Sequence, residues 1–442
     1  MADSSDTSYE LDVAVGKRQS GVLPLYTRLS QLNPSDAAIS FNEFSGTLGS
    51  AQFKDIVVSA KISWGLNRNP LVHFTIGVPQ DRLNSVIDFP GFTKNSVVGL
   101  RFRKEKAGQA TPWVYGVTQH TVPMLDNERM TVAVDGYGLL FEAPRRHVSR
   151  RYGNSTAKGV ISTIVKKYGL QLEDPGSITD LPMTENEQNF DDFSMLTAAA
   201  NFLNAFWYLE EHRAVLIGRD AAYRQSPAYI LAYGNRESSD AATNLYPLFE
   251  FVPRLTAQSF EAGALGITAR GVDLDTGEVV QKSIVSRAIR LGSLSLNSKI
   301  FLSDDGTVIN GQVVRPAPML ASDESGLFLP LRTRSIDEAR YQYAVEQKDF
   351  EVVVDAVLSG FPAVRPGMVV RIEGVGNIFG GNYMVWEVNH LVGRSDGFKT
   401  RLTLVRNAVC NIISPQGYRT NPKKNYAKSP VGRRFVAQAV GK

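Results

Sequence analysis

The sequence predicts an α+β, β-rich protein in which a small α/β module lies between two β-rich domains. Three observations lead to this prediction. Short runs rich in Val, Ile, Thr, Phe and Tyr recur from residue 39 to about 141. The apolar spacing then changes to three and four residues between 155 and 169, and strand-like runs return after about residue 250. A chain of 442 residues is long enough for two to four domains.

The first β-rich domain is predicted at 26–145, after an N-terminal arm at 1–25 whose first 20 or so residues are polar and are expected to be loose. Its strand candidates are bounded by Asn, Pro, Gly and Asp, which favour turns. These candidates are 56–64, 71–78, 97–104, 113–122 and 130–141. Short strands at nearly regular spacing are typical of a barrel or a sandwich.

The α/β module is predicted at 146–225 and begins with an amphipathic helix. Ser155 or Thr156 can cap the start of this helix, and Gly169 suits the left-handed position after its end. Its apolar and ring-bearing side chains fall on one face, at positions 157, 160, 161, 164, 165 and 168.

A second helix is predicted within 191–210, opened by Asp191 or Asp192. Its side chains are apolar nearly all round, so we expect it to be buried. A strand at 214–220 then completes the module.

The second β-rich domain is predicted at 226–410 and includes one helix. A hairpin at 266–285 has Asp275-Thr276-Gly277 at or beside its turn, and 313–326 is predicted to be a long loop. Ser335 and Glu338 form a capping box that opens the helix. Four strands follow, at 351–360, 368–375, 383–392 and 398–407, and a tight turn built on Phe379-Gly380-Gly381-Asn382 is predicted to join the second to the third.

The C-terminal tail, 411–442, is basic. It carries Arg419, Lys423, Lys424, Lys428, Arg433, Arg434 and Lys442 and no acidic residue. Such a tail is either solvated and mobile or an arm ordered by a partner with a negative surface. The aromatic side chains of Tyr418, Tyr426 and Phe435 could anchor it and favour the arm.

Composition argues against several classes of protein. The net charge of +4 is spread along the chain, without the basic stripe of a nucleic-acid binder. Cys410 is the only cysteine, and the five histidines are scattered, so neither residue type forms a metal signature, and no metal or cofactor is expected. The N-terminus lacks the pattern of a secretory signal, and no apolar run is long enough for a membrane span.

Motifs for catalysis are weak. The single Asp-Thr-Gly at 275–277 lacks the second copy that an aspartic protease needs, so it is interpreted as a hairpin turn. The glycines of 374–381 do not fit a nucleotide-binding pattern and are interpreted as turn residues. His390, within a strand, is predicted to be half-buried and hydrogen-bonded. No catalytic residue is therefore predicted, although two distant carboxylates of a glycosidase would escape this search.

The C-terminal part resembles the phage late control protein D family and the related central hub proteins of contractile-tail baseplates, including the hub half of the valine-glycine repeat spike proteins of type VI secretion. The resemblance rests on the order of SIDEARYQYA, EVVVDAVLSG, FPAVRPGMVVRIEGVG, FGGNYMVWEVNHLV and GFKTRLTLVRN, with a Gly–x–Tyr–x–Val hairpin. GYGLLF, RRYGNSTAKGVISTIVKKYGL and NFDDFSMLTAAANFLNAFWYLEE extend it to about 130–410. These motifs are loose patterns, and their joint order carries the resemblance.

The resemblance implies a structural role. Each subunit would supply two tube-like β-barrel domains, and a homotrimer would form a pseudo-sixfold ring. This ring would join the sixfold tail tube, or a tube initiator, to a threefold central spike and keep a central channel for the tape measure protein and for DNA in transit. Surrounding baseplate proteins would be further partners, and the location would be the virion tail baseplate, after synthesis in the host cytoplasm. Several relatives continue into a spike domain where this chain has its basic tail, so the spike would be a separate protein.

The second β-rich domain and the tail are expected to contact partners. The candidate contact residues are Phe379, Tyr383, Trp386, Tyr418, Arg419, Lys423, Lys424, Tyr426, Arg433 and Arg434. Two alternatives stay open at this point. One is a tail-associated glycan hydrolase, and the other is a carbohydrate- or receptor-binding β module.

Overall fold

The structure is a computed structural model. It describes residues 9–16, 57–77, 96–104, 109–125, 130–145, 147–153, 155–176, 178–182, 187–203, 205–234, 245–255, 266–272, 279–285, 307–309, 312–314, 352–393 and 397–406. These residues divide into two compact units. Unit 1 comprises 1–218, 359–366 and 387–401, and unit 2 comprises 219–358, 367–386 and 402–442.

The strands and helices of the N-terminal half, in chain order, are as follows. They are β1 Tyr9–Gly16, β2 Val57–Gly65, β3 Leu71–Gly77, β4 Val97–Lys104, β5 Gln109–Ala110, β6 Val114–Leu125, β7 Met130–Gly138, a 3-10 turn Ala143–Arg145, β8 His147–Arg151, α1 Ala157–Lys167, β9 Gln171–Glu173, β10 Glu187–Asp191, α2 Asp192–Phe202, β11 Ala205–Glu210 and β12 Arg213–Gly218.

The remaining elements begin with a short helix. They are α3 Arg219–Arg224, β13 Tyr229–Tyr233, β14 Leu245–Leu255, β15 Gly266–Val272, β16 Val279–Val285, β17 Thr307–Ile309, β18 Gln312–Val314, β19 Val352–Ser359, β20 Val369–Glu373, α4 Gly376–Phe379, β21 Gly381–Gly393 and β22 Gly397–Arg406.

The main sheet of unit 1 has the strand order β1-β4-β6-β7-β3-β2. These neighbours are antiparallel, and β2 also pairs with the second half of β21, from Ser59 opposite Gly393 to Gly65 opposite Glu387. The sequence predicted a loose arm at the N-terminus. Residues Tyr9–Gly16, whose apolar residues alternate along the sequence, instead form β1, which pairs with β4 from Tyr9 opposite Lys104 to Gly16 opposite Val97.

The α/β module of unit 1 contains α1, α2 and two small sheets, β10-β8 and β11-β12-β9. Thr156 caps α1 by accepting a hydrogen bond from Gly159 N, and Asp191 caps α2 by accepting one from Ser194 N, as the sequence predicted. The second helix is shorter than expected, because Ala205–Glu210 leaves it and forms β11. Asp192, Met195, Leu196, Ala199 and Ala200 are buried, and Phe193 and Phe202 pack against the same core, so the predicted burial of this helix is confirmed.

One hydrophobic core joins this module to the main sheet of unit 1. Trp113, Val117 and Leu139 from the sheet region pack in the same cluster as Ile161 and Leu196 of the two helices. Trp64 Nε1 donates a hydrogen bond to the Leu209 carbonyl oxygen at 2.7 Å, which ties β2 to β11. Burial of this shared apolar area is the main force that orients the module on the sheet.

Six strands, most of whose residues belong to unit 2, form a closed β-barrel. Its strand order is β21-β20-β13-β14-β19-β22, and β22 returns to pair with β21. Strand β13 runs parallel to both β14 and β20, whereas β14 is antiparallel to β19 and β20 is antiparallel to β21. Closure leaves these six strands without the unpaired edge of an open sheet. The predicted α+β, β-rich fold class is thereby confirmed, with a closed barrel in the second β-rich part.

The connection between β20 and β21 differs from the predicted tight turn. Ile372 lies opposite Gly381, so Gly381 and Asn382 already belong to β21 and the turn spans 374–380. It contains α4, and Gly374 and Gly376 both have a φ of +81°, a left-handed conformation that favours glycine. At Gly374 a Cβ atom would also lie 2.3 Å from the Tyr233 carbonyl oxygen. These two glycines supply the left-handed conformations within the turn.

The predicted hairpin at 266–285 is present as β15 paired with β16, from Gly266 opposite Val285 to Val272 opposite Val279. Its Asp275-Thr276-Gly277 turn and the helix that begins near Ser335 lie outside the described residues, as does the loop after residue 314. Among the described residues, no helix is long and apolar enough to cross a membrane.

Candidate partner-contact sites

The aromatic contact residues predicted on β21 have different environments. Trp386 is half-buried, and Phe379 is half-buried at the end of α4. Tyr383 is fully buried, and its hydroxyl donates a hydrogen bond to the Phe379 carbonyl oxygen at 2.6 Å. The prediction of Tyr383 as a surface contact is therefore corrected, since its side chain already packs within its own chain. Phe379 and Trp386 keep some exposed area and stay candidates.

A buried arginine lies beside Tyr383, and sequence reasoning missed it. The guanidinium carbon of Arg406 lies 5.3 Å from the centroid of the Tyr383 ring, and Nη1 donates to the Gly380 carbonyl oxygen at 3.2 Å. Burial raises the pKa of Tyr383, and the positive charge and hydrogen bond of Arg406 partly offset this rise. The ring of Phe251 packs edge-on against Tyr383 and Phe379, so aromatic side chains surround this end of unit 2.

The tail residues of the prediction lie outside the described residues. These are Tyr418, Arg419, Lys423, Lys424, Tyr426, Arg433 and Arg434. Their role in partner contact stays a prediction.

Unit 1 carries an exposed apolar surface that the sequence analysis did not single out. We call it the outer face of unit 1, and it comprises Leu71, Val122, Met124 and Tyr137. Leu71 lies opposite Tyr137 on β3 and β7, and Val122 lies opposite Ala133 on β6 and β7. The four side chains are 39–51% exposed. Alternating residues along a strand define two faces, but the sequence does not say which of them is exposed. The outer face of unit 1 was therefore not predicted.

A polar pair lies between the two apolar ends of the outer face. His73 Nδ1 is 2.6 Å from Asp135 Oδ1, and each side chain is 40% exposed. His120 lies opposite Asp135 on the other neighbouring strand, and Lys61 lies opposite His73. The face therefore combines apolar area with polar groups across four strands, which is the usual composition of a protein interface.

Unit 2 has its own exposed apolar side chains. Tyr233 on β13 is 44% exposed, and Phe249 and Val252 on β14 are 57% and 41% exposed. Phe249 lies at a register shift between β14 and β19, where a β-bulge turns its side chain outward. Arg254 and Asp355 form an exposed ion pair on the neighbouring strands β14 and β19.

The histidine and carboxylate side chains of the described residues do not form a metal site or another ligand site. His390 is fully buried rather than half-buried, and burial together with the positive charge of Arg365 lowers its pKa to about 3. Within the described ranges, no group of three His, Cys, Asp or Glu side chains is arranged to hold a metal ion.

Comparison with solved structures relates this fold to tail proteins. A tail protein from Neisseria meningitidis MC58 matches with a TM-score of 0.52 and 10% identity, over 80% of this chain and 93% of that chain. The 43 kDa tail protein of prophage MuSo2 from Shewanella oneidensis matches with the same TM-score and identity, over 80% of this chain and 95% of that chain. At this identity the comparisons show a shared fold. The resemblance to phage tail proteins inferred from the sequence is confirmed at that level.

A weaker likeness is to the Escherichia coli c3393 protein, a component of the type VI secretion system, with a TM-score of 0.45 and 7% identity over 79% of this chain and 73% of that chain. This TM-score is too low to carry an argument. No protein-family model matches the chain, and no curated protein matches it.

Proposed function

We propose that this chain is a structural hub protein of the baseplate of a contractile phage tail or of a phage-derived injection apparatus. The observation that carries the proposal is the fold shared with two tail proteins over four-fifths of the chain. A structural role is consistent with the motif analysis, which found no catalytic signature. The location that follows is the tail baseplate of the particle, after synthesis in the host cytoplasm.

The assembly that we propose is a homotrimer. Each copy supplies two β-rich parts, the main sheet of unit 1 and the closed barrel of unit 2, so three copies supply six similar positions. Such a ring has a pseudo-sixfold face for the tail tube or its initiator and a threefold face for a separate central spike. A closed ring requires head-to-tail interfaces, in which two different surfaces of each copy meet.

The exposed apolar side chains support this arrangement. The outer face of unit 1 and the group formed by Tyr233, Phe249 and Val252 give each β-rich part an apolar surface of its own. Two different surfaces are what a head-to-tail interface needs, and burial of exposed apolar area is the main force in stable association. The basic tail is proposed to reach a neighbouring baseplate protein with a negative surface.

Negative-stain electron microscopy of the purified chain tests the proposal. The expected particle is a ring with threefold outline, six similar lobes around the centre, and a central hole for the tape measure protein and for DNA in transit. A compact particle without a hole, at concentrations where the sample is fully associated, contradicts it.

We further propose that the chain has no enzymatic activity of its own. A cell-wall turbidity assay separates this from the alternative of a tail-associated glycan hydrolase. The hub proposal expects no clearing above a buffer control. Clearing that is lost when paired carboxylates are changed would favour the hydrolase instead.

A further inference from the structure

One segment of unit 1 concentrates positive charge, although charge is evenly spread over the chain as a whole. From residue 143 to residue 172 the sequence has no Asp or Glu. The same stretch carries the basic side chains of Arg145, Arg146, Arg150, Arg151, Lys158, Lys166 and Lys167. The four arginines lie within 145–151, which holds the end of the 3-10 turn and all of β8. Such a cluster is the pattern of a surface that attracts anions.

Strand β8 presents this charge on a two-stranded antiparallel ribbon with β10. Arg150 lies opposite Gln188, and Arg151 lies opposite Glu187. Successive side chains of a strand point to opposite faces. Arg150 and Arg151 are both exposed, and so is Arg145 just before the ribbon. This end of the ribbon therefore offers positive charge to solvent on both faces.

Arg145 and Arg150 are oriented by neutral groups. The guanidinium carbon of Arg145 lies 5.6 Å from the centroid of the Phe141 ring, and its Nη1 donates to Gln119 Oε1 at 3.3 Å. The guanidinium carbon of Arg150 lies 5.8 Å from the centroid of the Tyr152 ring. Within the described residues, neither arginine pairs with a carboxylate. Stacking on a ring holds a guanidinium in place and leaves its charge available to a phosphate.

The lysines of α1 are different, because they are paired inside unit 1. Lys158 Nζ lies 2.5 Å from Asp174 Oδ2, and Lys167 Nζ lies 2.5 Å from Asp192 Oδ2. Their charge is compensated within the chain. An external anion would therefore meet the two arginines rather than these two lysines.

The surface around the arginines is polar. His147, Ser149 and Asn189 are exposed on the same ribbon, and the large apolar side chains that are exposed among the described residues lie on other strands. A protein interface usually has an apolar centre. The backbone of a nucleic acid is instead contacted by Arg, Ser and Asn side chains. The composition of the ribbon favours a nucleic-acid backbone over a protein surface.

The environment of the nearby aromatic rings favours a duplex over a single strand. Phe141 is 6% exposed, and Tyr152 is half-buried beneath Arg150, with its hydroxyl donating to Gln188 Oε1 at 2.6 Å. Proteins that bind single strands stack bases on open aromatic rings, and neither ring is open. A duplex carries about one charge per 1.7 Å of its axis, and β8 extends for about 17 Å, so one duplex can contact both arginines.

We propose that the basic ribbon, defined as Arg145, β8 and β10, binds the phosphate backbone of double-stranded DNA, with Arg145 and Arg150 as the main contacts. The binding is electrostatic and reads no base sequence. The proposal goes beyond the hub function and does not depend on the ring, because the basic ribbon lies within unit 1 of a single chain.

Fluorescence anisotropy of a labelled duplex of about 20 base pairs, titrated with the full chain at about 50 and about 200 mM NaCl, tests the proposal. The glutamine variant carries Arg145→Gln and Arg150→Gln. The matched control carries Lys61→Gln and Arg401→Gln, which remove the same charge from two other exposed positions of unit 1. The lysine variant carries Arg145→Lys and Arg150→Lys, which keep the charge.

The expected result is that the wild type binds the duplex and the glutamine variant binds it about tenfold or more weakly at the lower salt concentration. The slope of the logarithm of the binding constant against the logarithm of the salt concentration should become shallower by about 2, because each phosphate contact contributes about one unit. The lysine variant keeps the wild-type slope. The control keeps it as well, because salt screens exposed charges that do not touch the DNA.

Two outcomes overturn the proposal through the protein. The first is no binding of the duplex by the wild type at the lower salt concentration. The second is the same affinity in the glutamine variant as in the control, because another basic segment, such as the tail at 411–442, would then hold the DNA. Two further outcomes overturn the choice of ligand, namely binding of a labelled single strand of the same length, or of labelled poly-glutamate, as tight as binding of the duplex.

Both arginines are exposed, so the glutamine variant should unfold at the wild-type temperature. If it does not, Arg150→Gln alone replaces it, with an expected change in slope of about 1. A chain that stays monomeric and binds the duplex through the basic ribbon would contradict the ring and leave this proposal intact.

Discussion

The hydroxyl oxygen of Thr400 lies 3.0 Å from Nδ1 of His390, and both side chains are fully buried in unit 1. The same hydroxyl oxygen accepts a hydrogen bond from the Phe361 backbone N–H at 2.9 Å. Its own proton is therefore free to go to Nδ1, which leaves the ring proton of the neutral imidazole on Nε2. Nε2 has no hydrogen-bond partner among the described residues, and the rings of Phe102 and Phe398 lie 6.0 and 5.7 Å from the imidazole. The environment of His390 favours the uncharged ring.

His390 should make the stability of the fold depend on pH. Its folded-state pKa of about 3 lies below its ordinary value of 6.5, so the unfolded chain takes up this proton first. Stability from this group is complete above about pH 6.5 and falls by about 1.4 kcal/mol per pH unit as the pH drops towards 3. His390→Asn keeps an acceptor for the Thr400 hydroxyl but cannot titrate. We expect this variant to reduce the slope of the unfolding free energy against pH by about 1.4 kcal/mol per pH unit, measured by urea unfolding at each pH.

The control for this prediction is His73→Asn, because the His73 side chain is 40% exposed, whereas that of His390 is fully buried. Because His73→Asn leaves His390 in place, its unfolding free energy should still fall with pH between about 6.5 and 4 by the amount that His390 contributes. Equal slopes in His390→Asn and the wild type would contradict the assignment of His390 as a buried neutral histidine.

The hydrogen bond from Trp64 should be measurable against a second buried tryptophan. Trp64 Nε1 donates to the Leu209 carbonyl oxygen at 2.7 Å, whereas Trp113 Nε1 has no hydrogen-bond partner in the described part of the chain, and both side chains are 1% exposed. Each Trp→Phe change removes similar apolar area, but only Trp64→Phe leaves a buried carbonyl unpaired. We expect Trp64→Phe to lower the free energy of unfolding by about 1–3 kcal/mol more than Trp113→Phe. Equal losses in chemical denaturation would show that this bond does not stabilise the contact between β2 and β11.

Asp192 should be far more sensitive to substitution than its neighbour Asp191. Its carboxylate is fully buried and accepts hydrogen bonds from Lys167 Nζ at 2.5 Å, Tyr168 Oη at 2.7 Å and Gln188 Nε2 at 2.9 Å. Burial alone would raise the pKa of Asp192, but these hydrogen bonds and the Lys167 charge outweigh it and lower the pKa. The stability that it contributes is present above its ordinary pKa of 3.8 and is lost as the pH falls through the lower folded-state value.

We expect Asp192→Asn to cost about 3 kcal/mol at pH 7, because it breaks a buried ion pair. Asp191→Asn should cost less than about 1 kcal/mol, since asparagine also caps a helix. Urea unfolding at pH 7 measures both. A similar small loss in the two variants would contradict the role of Asp192 in holding α1, α2 and β10 together.

The exposed Phe249 offers a test of the proposed interface. It is 57% exposed on β14, so Phe249→Glu should change the free energy of unfolding of the isolated chain by less than about 0.5 kcal/mol. A charge placed in an apolar interface should nevertheless weaken association by about tenfold or more. Gln171→Glu, which adds the same charge at the exposed start of β9, is the control and should associate like the wild type. Sedimentation across a concentration series measures both, and equal association of the two variants would exclude Phe249 from the interface.

The strands that alternate apolar and polar residues were predictable from the sequence. Strands β3, β4 and β19 lie within one residue of their predicted bounds, and β19 buries every second residue, so its period of two is plain. The caps at Thr156 and Asp191 were equally local and equally predictable. Strand β11 was assigned to a helix because the apolar run continues unbroken from α2 into it, and apolar content alone does not separate a buried helix from a buried strand.

Sites that depend on contacts distant in sequence were not predictable. Arg406 ends strand β22, and its burial and its contact with Gly380, in the connection before β21, depend on the folded barrel. Tyr383 looked like an exposed hairpin aromatic until closure of the barrel buried it. The outer face of unit 1 became visible only when the register of β3, β6 and β7 placed Leu71, Val122 and Tyr137 on one side. Which of these side chains are buried or exposed depends on tertiary packing, and short-range sequence patterns do not determine that packing.

The solution mass of the purified chain, measured by light scattering across a concentration series, tests the proposed hub assembly most directly. One chain has a mass of 48.6 kDa, and the homotrimer predicts about 146 kDa, three times that value. A mass that rises to this value and stays there as the concentration increases is the predicted result. A mass of 48.6 kDa at every concentration, or a plateau at twice that mass, would contradict the trimeric ring.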